Sequence, residues 1–184
     1  MADLQRDPVI NVIENGIKGD IDFTLHNERF RATVLLIYSG MDSMAYLGMP
    51  PGQEDVTKAD FVSWADRYIR FPCKEQICGD DFHGARCGML HTYGPTSRMS
   101  KFGKCRLIGY CDHSVPEVRF NPIFSNDLVM VSIRALKDAF FRGIDRSLVD
   151  VFSSKERAAA AEARLTWLTH ILPFKENAQD GTKG

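Results

Sequence analysis

The stretch between Gly79 and Pro95 reads GDDFHGARCGMLHTYGP, and the interpretation of the whole chain starts from it. It opens with Asp80 and Asp81, and negative charge stabilises the N-terminus of a helix. It closes with a glycine followed by a proline, a pair that commonly terminates a helix. The stretch therefore predicts a helix over residues 81–93, with an arginine near its middle and a histidine and a tyrosine at its C-terminal end.

Helical spacing of apolar residues extends to both sides of this stretch. On this basis we predict further helices over residues 8–18, 27–48, 57–70, 127–146 and 154–171. The first of them ends at Gly19, and the third begins with a capping-box-like pair, Thr57 and Asp60. Two short mixed segments, 105–110 and 117–120, predict a small β-hairpin. The expected fold class is therefore all-α, a helical bundle with a β-hairpin inserted after the helix over 81–93.

The length of 184 residues predicts one domain. This domain spans residues 1–174. It consists of a helical bundle over 8–95, a β insertion at about 104–121 and C-terminal helices over 127–172. Residues 175–184 are polar, and we expect them to form a flexible tail.

Net charge and hydropathy narrow the classes of function. The formal net charge is −1 and the sequence pI is about 6.5, so no global positive potential attracts nucleic acid. A nucleic-acid enzyme of this charge needs a local basic patch. No apolar run approaches the roughly 20 residues that span a bilayer, and the N-terminus lacks the apolar segment of a secretory signal. We expect a cytoplasmic protein with no membrane contact.

Arg86, His91 and Tyr93 form the pattern Arg-x4-His-x-Tyr. An arginine followed by a histidine after four to six residues arises about once by chance in a chain of this composition, whereas the stricter pattern with tyrosine has an expected count of about 0.01. The looser pattern also occurs at Arg106/His113 and Arg164/His170. The first of these spans a predicted turn, and the second lies on an Ala- and Leu-rich helix, which indicates packing. Only the match that begins at Arg86 is therefore a candidate functional motif.

With these residues the chain resembles the HEPN ribonucleases, in the form found in toxins that are paired with a minimal nucleotidyltransferase antitoxin. The resemblance covers the bundle, about residues 8–95, and extends to the later helices. It implies a homodimeric, metal-independent endoribonuclease, plausible as a toxin or phage-defence effector, that needs no cofactor. It also implies catalytic roles for Arg86 and His91. Many members have a polar residue directly after the arginine, where this chain has Cys87.

Tyr93 has two possible roles. It can position a phosphate, or, by resemblance to the same toxins, it can be the residue that an antitoxin modifies by nucleotide transfer. Either event places or removes charge beside the site.

The spacing of the motif adds a geometric condition. Residues five apart on an ideal helix differ by about 140°, so Arg86 and His91 do not share a face. Residues seven apart differ by about 20°, so Arg86 and Tyr93 do. A two-fold dimer, the commonest oligomer geometry, lets the arginine of one subunit meet the histidine of the other. RNA supplies the nucleophile as its own 2′-OH, His91 is suited to acid–base work near neutral pH, and Arg86 to holding the phosphate.

Further candidates lie near the motif. His83 precedes Arg86 by three residues and can assist the site, and Cys87 can be reactive beside the arginine. A basic run around Phe102 predicts contacts with the RNA backbone and one stacking ring. Its cations are Arg98, Lys101, Lys104 and Arg106.

Simpler explanations stay open. The motif residues can cap a helix end, and the basic run can be a solvated loop. Cysteines 73, 78, 105 and 111 with His113 lack the tight paired spacing of structural zinc sites, so no metal is expected. The alternative functions are a non-catalytic HEPN-like module that binds a partner or nucleotide, and an unrelated helical interaction protein in which the motif is a coincidence.

Overall fold

The structure is a computed structural model, and it describes residues 7–111, 118–120, 127–166 and 168. This part of the chain is mainly helical, as predicted. The helices are α1 (Pro8–Asn11), a π-helix (Val12–Lys18), α2 (Gly19–His26), α3 (Phe30–Leu47), α4 (Lys58–Tyr68), α5 (Gly79–Thr92), α6 (Arg98–Lys101), α7 (Ile133–Val151) and α8 (Lys155–Leu165). The strands are β1 (Leu107–Cys111), β2 (Val118–Phe120) and β3 (Leu128–Ser132). None of the helices described is both long enough and apolar enough to cross a membrane.

The N-terminal helical segment is longer than the sequence predicts. Asp7 caps it by accepting hydrogen bonds from the N–H groups of Val9 and Ile10. The predicted end at Gly19 is wrong, because this glycine has right-handed helical backbone angles (φ −59°, ψ −47°) and the chain continues as α2. Glycine ends a helix when it takes a left-handed conformation, and here it does not. Buried Ile21 therefore extends the apolar face that Val9 begins.

The predicted hairpin is also wrong in its pairing. Strand β3 lies between the other two, in the order β1-β3-β2, parallel to β1 and antiparallel to β2. The apolar spacing predicts a helix over 127–146, but residues 128–132 form this central strand, and α7 starts only at Ile133. Val129 and Val131 are fully buried, and β-branched residues favour such a strand. Ser132 then caps α7 through a hydrogen bond from the N–H of Ala135.

Helix α3 lies at the centre of the core. Tyr38, Met41 and Met44 on this helix are fully buried. Gly40 permits the close approach of α7, because a Cβ at this position would lie 2.7 Å from the ring of Phe140. Such close packing fixes α3 and, with it, the helices that it contacts, α2, α4, α5, α7 and α8.

Buried Arg164 on α8 stabilises the C-terminal end of α3. Its guanidinium donates hydrogen bonds to the backbone carbonyls of residues 47, 49, 50 and 53. A positive charge there also complements the negative end of the helix dipole. Arg164 therefore has a structural role, in agreement with the interpretation of its sequence match as packing; His170 lies outside the described residues.

Candidate functional site

One uninterrupted helix, α5, carries both Arg86 and His91. It starts at Gly79, two residues before the predicted start. Tyr93 caps its C-terminus in the left-handed conformation (φ 55°), with its N–H bound to the carbonyl of Met89. Left-handed backbone is costly for a residue with a Cβ, on the order of 1 kcal/mol. The helix end therefore fixes where the Tyr93 side chain emerges.

Arg86 is anchored to the neighbouring helix α3. Its Nε donates a hydrogen bond to Oδ2 of Asp42 at 2.8 Å, and both side chains are about a quarter exposed (28% and 27%). Partial burial acts to lower the pKa of Arg86, but the hydrogen bond and charge of Asp42 outweigh it and raise the pKa. This bond uses Nε, so the terminal nitrogens of the guanidinium keep N–H donors for a second oxyanion.

His91 lies in the last turn of α5 and is exposed. In the part of the chain that the structure describes, no hydrogen bond joins its imidazole to Arg86 or to any other side chain. The adjacent Leu90 leaves 41% of its surface in solvent. The fold of a single chain therefore does not join the arginine and histidine of the motif by a hydrogen bond.

His83 is half-buried between α5 and its neighbours, within electrostatic reach of Arg86. Its Nδ1 is 3.3 Å from the sulfur of Met99 and 3.9 Å from Sγ of Cys87, and its ring packs edge-on against Phe61. Burial lowers the pKa of His83, and the positive charges of Lys58 and Arg86 lower it further. His83 is therefore a neutral imidazole at neutral pH, suited to accepting a hydrogen bond or to packing beside Arg86.

The basic run separates into two parts. Arg98, Lys101 and Lys104 are exposed, and the guanidinium of Arg98 lies over the ring of Phe102 at 5.9 Å. Phe102 itself is 66% exposed. A positive surface with one open ring suits a single-stranded nucleic acid.

Arg106, the fourth cation of the run, is half-buried and pairs with Asp81 instead. Its Nε and Nη2 bind Oδ2 of Asp81 at 3.0 and 2.6 Å, and Nη2 also binds the carbonyl of Gln76. Asp81 is 2% exposed and accepts further hydrogen bonds from the backbone of Arg106 and Cys78. Burial acts to raise the pKa of Asp81, but these bonds and the charge of Arg106 outweigh it and lower the pKa. Arg106 thus ties the start of α5 to β1.

A cavity of about 380 Å³ opens where α5 ends. Arg31 lies at this cavity with its guanidinium over the ring of Tyr93, 5.9 Å from the ring centre. The other lining residues are Phe30, Val34, Met89, Gly94, Pro95, Tyr110 and Ile133. The walls of this cavity come from α3, the end of α5, β1 and α7, which are far apart in the sequence, so no local pattern predicts it.

Asp42 and Arg31 are the functional candidates that sequence reasoning missed. They are the two charged residues of α3. A charge within an otherwise apolar helix needs a partner or a ligand, so their isolation was the available signal. Within the residues described, no three His, Cys, Asp or Glu side chains are placed to hold a metal ion.

Compared with protein-family models, curated proteins and solved structures, the chain shows no significant match. The interpretation of its function therefore rests on the motif and on the geometry around it.

Proposed function

We propose that the protein is a metal-independent endoribonuclease of the HEPN type that acts as a homodimer, in the role of a toxin or defence effector. The observation that carries the proposal is the arrangement on α5. Asp42 holds Arg86 in place, while His91 emerges from the exposed end of the same rigid helix. Catalytic groups on rigid elements keep the positions that the chemistry needs.

The reaction follows from these side chains. The 2′-OH of the RNA attacks the adjacent phosphorus, and the bond from phosphorus to the 5′ oxygen breaks. His91 either takes the proton from the 2′-OH, while water protonates the leaving 5′ oxygen, or it protonates the 5′ oxygen, while water takes the proton of the 2′-OH. Arg86 binds the phosphate and stabilises the negative charge that builds on its oxygens. The products are a 2′,3′-cyclic phosphate and a 5′-OH.

The dimer supplies what one protomer lacks. Arg86 and His91 differ by about 140° around the helix, and no hydrogen bond joins them in the described chain. An isologous contact through the exposed Leu90 would place His91 of one protomer near Arg86 of the other.

Exposed Arg98, Lys101 and Lys104 would hold the RNA backbone, and Phe102 would stack on one base. Arg106 is left out of this surface, because its guanidinium is bound to Asp81.

The second candidate is a non-catalytic module that binds a nucleotide or a protein partner such as an antitoxin. The ion pair between Arg86 and Asp42 favours it, because a guanidinium whose charge is balanced attracts a phosphate less strongly. An antitoxin that acts on exposed Tyr93 would fit either function.

The products of cleavage test the proposal. The full-length protein is incubated with single-stranded RNA in EDTA, and the fragment ends are analysed by mass spectrometry. We expect 2′,3′-cyclic phosphate ends, and no cleavage of the same strand with 2′-deoxy sugars, because the nucleophile is then absent. Cleavage of the deoxy strand, or ends with a 5′-phosphate, would contradict the mechanism. Intact RNA would favour the binding module.

A further inference from the structure

We propose that the cavity at the end of α5 binds one nucleotide, with the base inside and the phosphate at Arg31. Resting on the proposed function, this inference assigns the base-binding subsite of the same RNA-cleaving site, because Tyr93 belongs both to the motif and to the cavity wall.

The size and lining of the cavity suit a flat, mostly apolar group. Its volume of about 380 Å³ lies within the usual range for small-molecule sites, roughly 300–1,000 Å³. Phe30, Val34, Met89 and Ile133 supply apolar contacts to such a group. Tyr93, which is 52% exposed, offers a ring on which a base can stack.

The positive charge of Arg31 at the cavity favours an anionic ligand. Arg31 is the one charged residue of the described lining, and no acidic residue stands among these wall residues. Its guanidinium has no ion pair with any described residue, and it lies over the ring of Tyr93. A guanidinium stacked on an aromatic ring keeps its N–H groups for a phosphate at the ring edge. The ligand therefore combines a flat apolar part with a phosphate.

A pair of hydrogen-bonded tyrosines, Tyr38 and Tyr110, lies at the cavity wall and can supply a hydrogen-bond donor. The hydroxyls of Tyr38 and Tyr110 lie 2.6 Å apart, and burial raises the pKa of both, so both are neutral. When two neutral phenols form one hydrogen bond, the hydroxyl that accepts it still has its own O–H to donate. Tyr38 is fully buried, whereas Tyr110 lines the cavity. When Tyr38 donates to Tyr110, the O–H of Tyr110 stays available as a donor, and because Tyr110 lines the cavity we assign it to a carbonyl or ring nitrogen of the base.

Calorimetric titration of the full-length protein tests the inference. The probes are the four nucleoside 5′-monophosphates and inorganic phosphate. We expect at least one nucleotide to bind roughly tenfold or more tightly than phosphate alone, since stacking contributes that much. Arg31→Gln and Tyr93→Ala should each weaken binding roughly tenfold, and Tyr110→Phe by about threefold to tenfold.

Arg29→Gln is the matched control, because Arg29 is an exposed arginine two residues away that does not line the cavity. It should bind the nucleotide as the parent protein does. Absence of saturable binding for all four nucleotides would overturn the inference, and so would an Arg31→Gln variant, folded by circular dichroism, that binds as tightly as Arg29→Gln. RNA cleavage without nucleotide binding would reject the subsite alone. Nucleotide binding without RNA cleavage would reject the nuclease and keep the cavity as a binding site.

Discussion

Replacing His91 with alanine is expected to slow RNA cleavage by roughly 10²–10⁴-fold, the usual contribution of a general acid or base. Because the side chain is exposed and has no hydrogen bond within the described residues, the free energy of unfolding should change by less than about 0.5 kcal/mol. Initial cleavage rates and chemical denaturation of the same preparation measure the two quantities.

His26 provides the matched control. It is also an exposed histidine in the last turn of a helix, α2. His26→Ala should cleave RNA at the parental rate. A His91→Ala protein that cleaves as fast as His26→Ala would show that the motif histidine takes no part in the reaction.

Replacing Arg106 with alanine is expected to lower the free energy of unfolding by about 3–5 kcal/mol, because it leaves a buried carboxylate without its partner. That carboxylate is Asp81, which is 2% exposed. The loss should appear as a lower midpoint in urea denaturation with little change in the slope.

Two variants control for this effect. Lys104→Ala removes an exposed cation from the same basic run and should shift stability by less than about 0.5 kcal/mol. Combining Arg106→Met with Asp81→Asn removes both charges and should recover part of the lost stability. If Arg106→Ala were as stable as Lys104→Ala, the ion pair would not hold α5 to β1, and Arg106 would return to the candidates for RNA binding.

Much of the helical part could be predicted from the sequence, because its signals are local. Thr57 and Asp60 form the capping box expected at the start of α4. The acidic start of the stretch beginning at Gly79 and the Gly-Pro pair after Tyr93 delimit α5 to within two residues. Caps and apolar spacing act over one or two turns, so a short window contains the information.

The sheet could not be predicted in the same way. Val129, Ile133 and Leu136 have the spacing of a helix, yet Val129 lies in the central strand β3 and the other two in α7. A short apolar run is compatible with either element. Residues 128–132 form a strand and not a helix because they pair with β1. This strand runs parallel to β3 and lies about 20 residues earlier in the chain, outside any local pattern.

In the candidate site, too, the local features could be predicted from the sequence and the contacts between distant elements could not. The motif on α5 is visible in the sequence, but its partner Asp42 lies 44 residues earlier. The sequence places Arg106 beside Lys104 as one basic run, whereas the fold directs Arg106 to Asp81. Similarly, Arg31 meets Tyr93 only because α3 begins where α5 ends. Contacts between helices decide which charges remain available for a ligand.

Subunit mixing tests the central claim, a site built from Arg86 of one protomer and His91 of the other. Arg86→Ala and His91→Ala proteins, each inactive alone, are unfolded together and refolded. Half of the resulting dimers carry one copy of each variant, and each of these has one intact site, so about a quarter of the parental cleavage rate should return. Separately refolded proteins, mixed under conditions without subunit exchange, are the control. Failure of the mixed dimers to recover activity, with the parent protein active, would contradict the composite site.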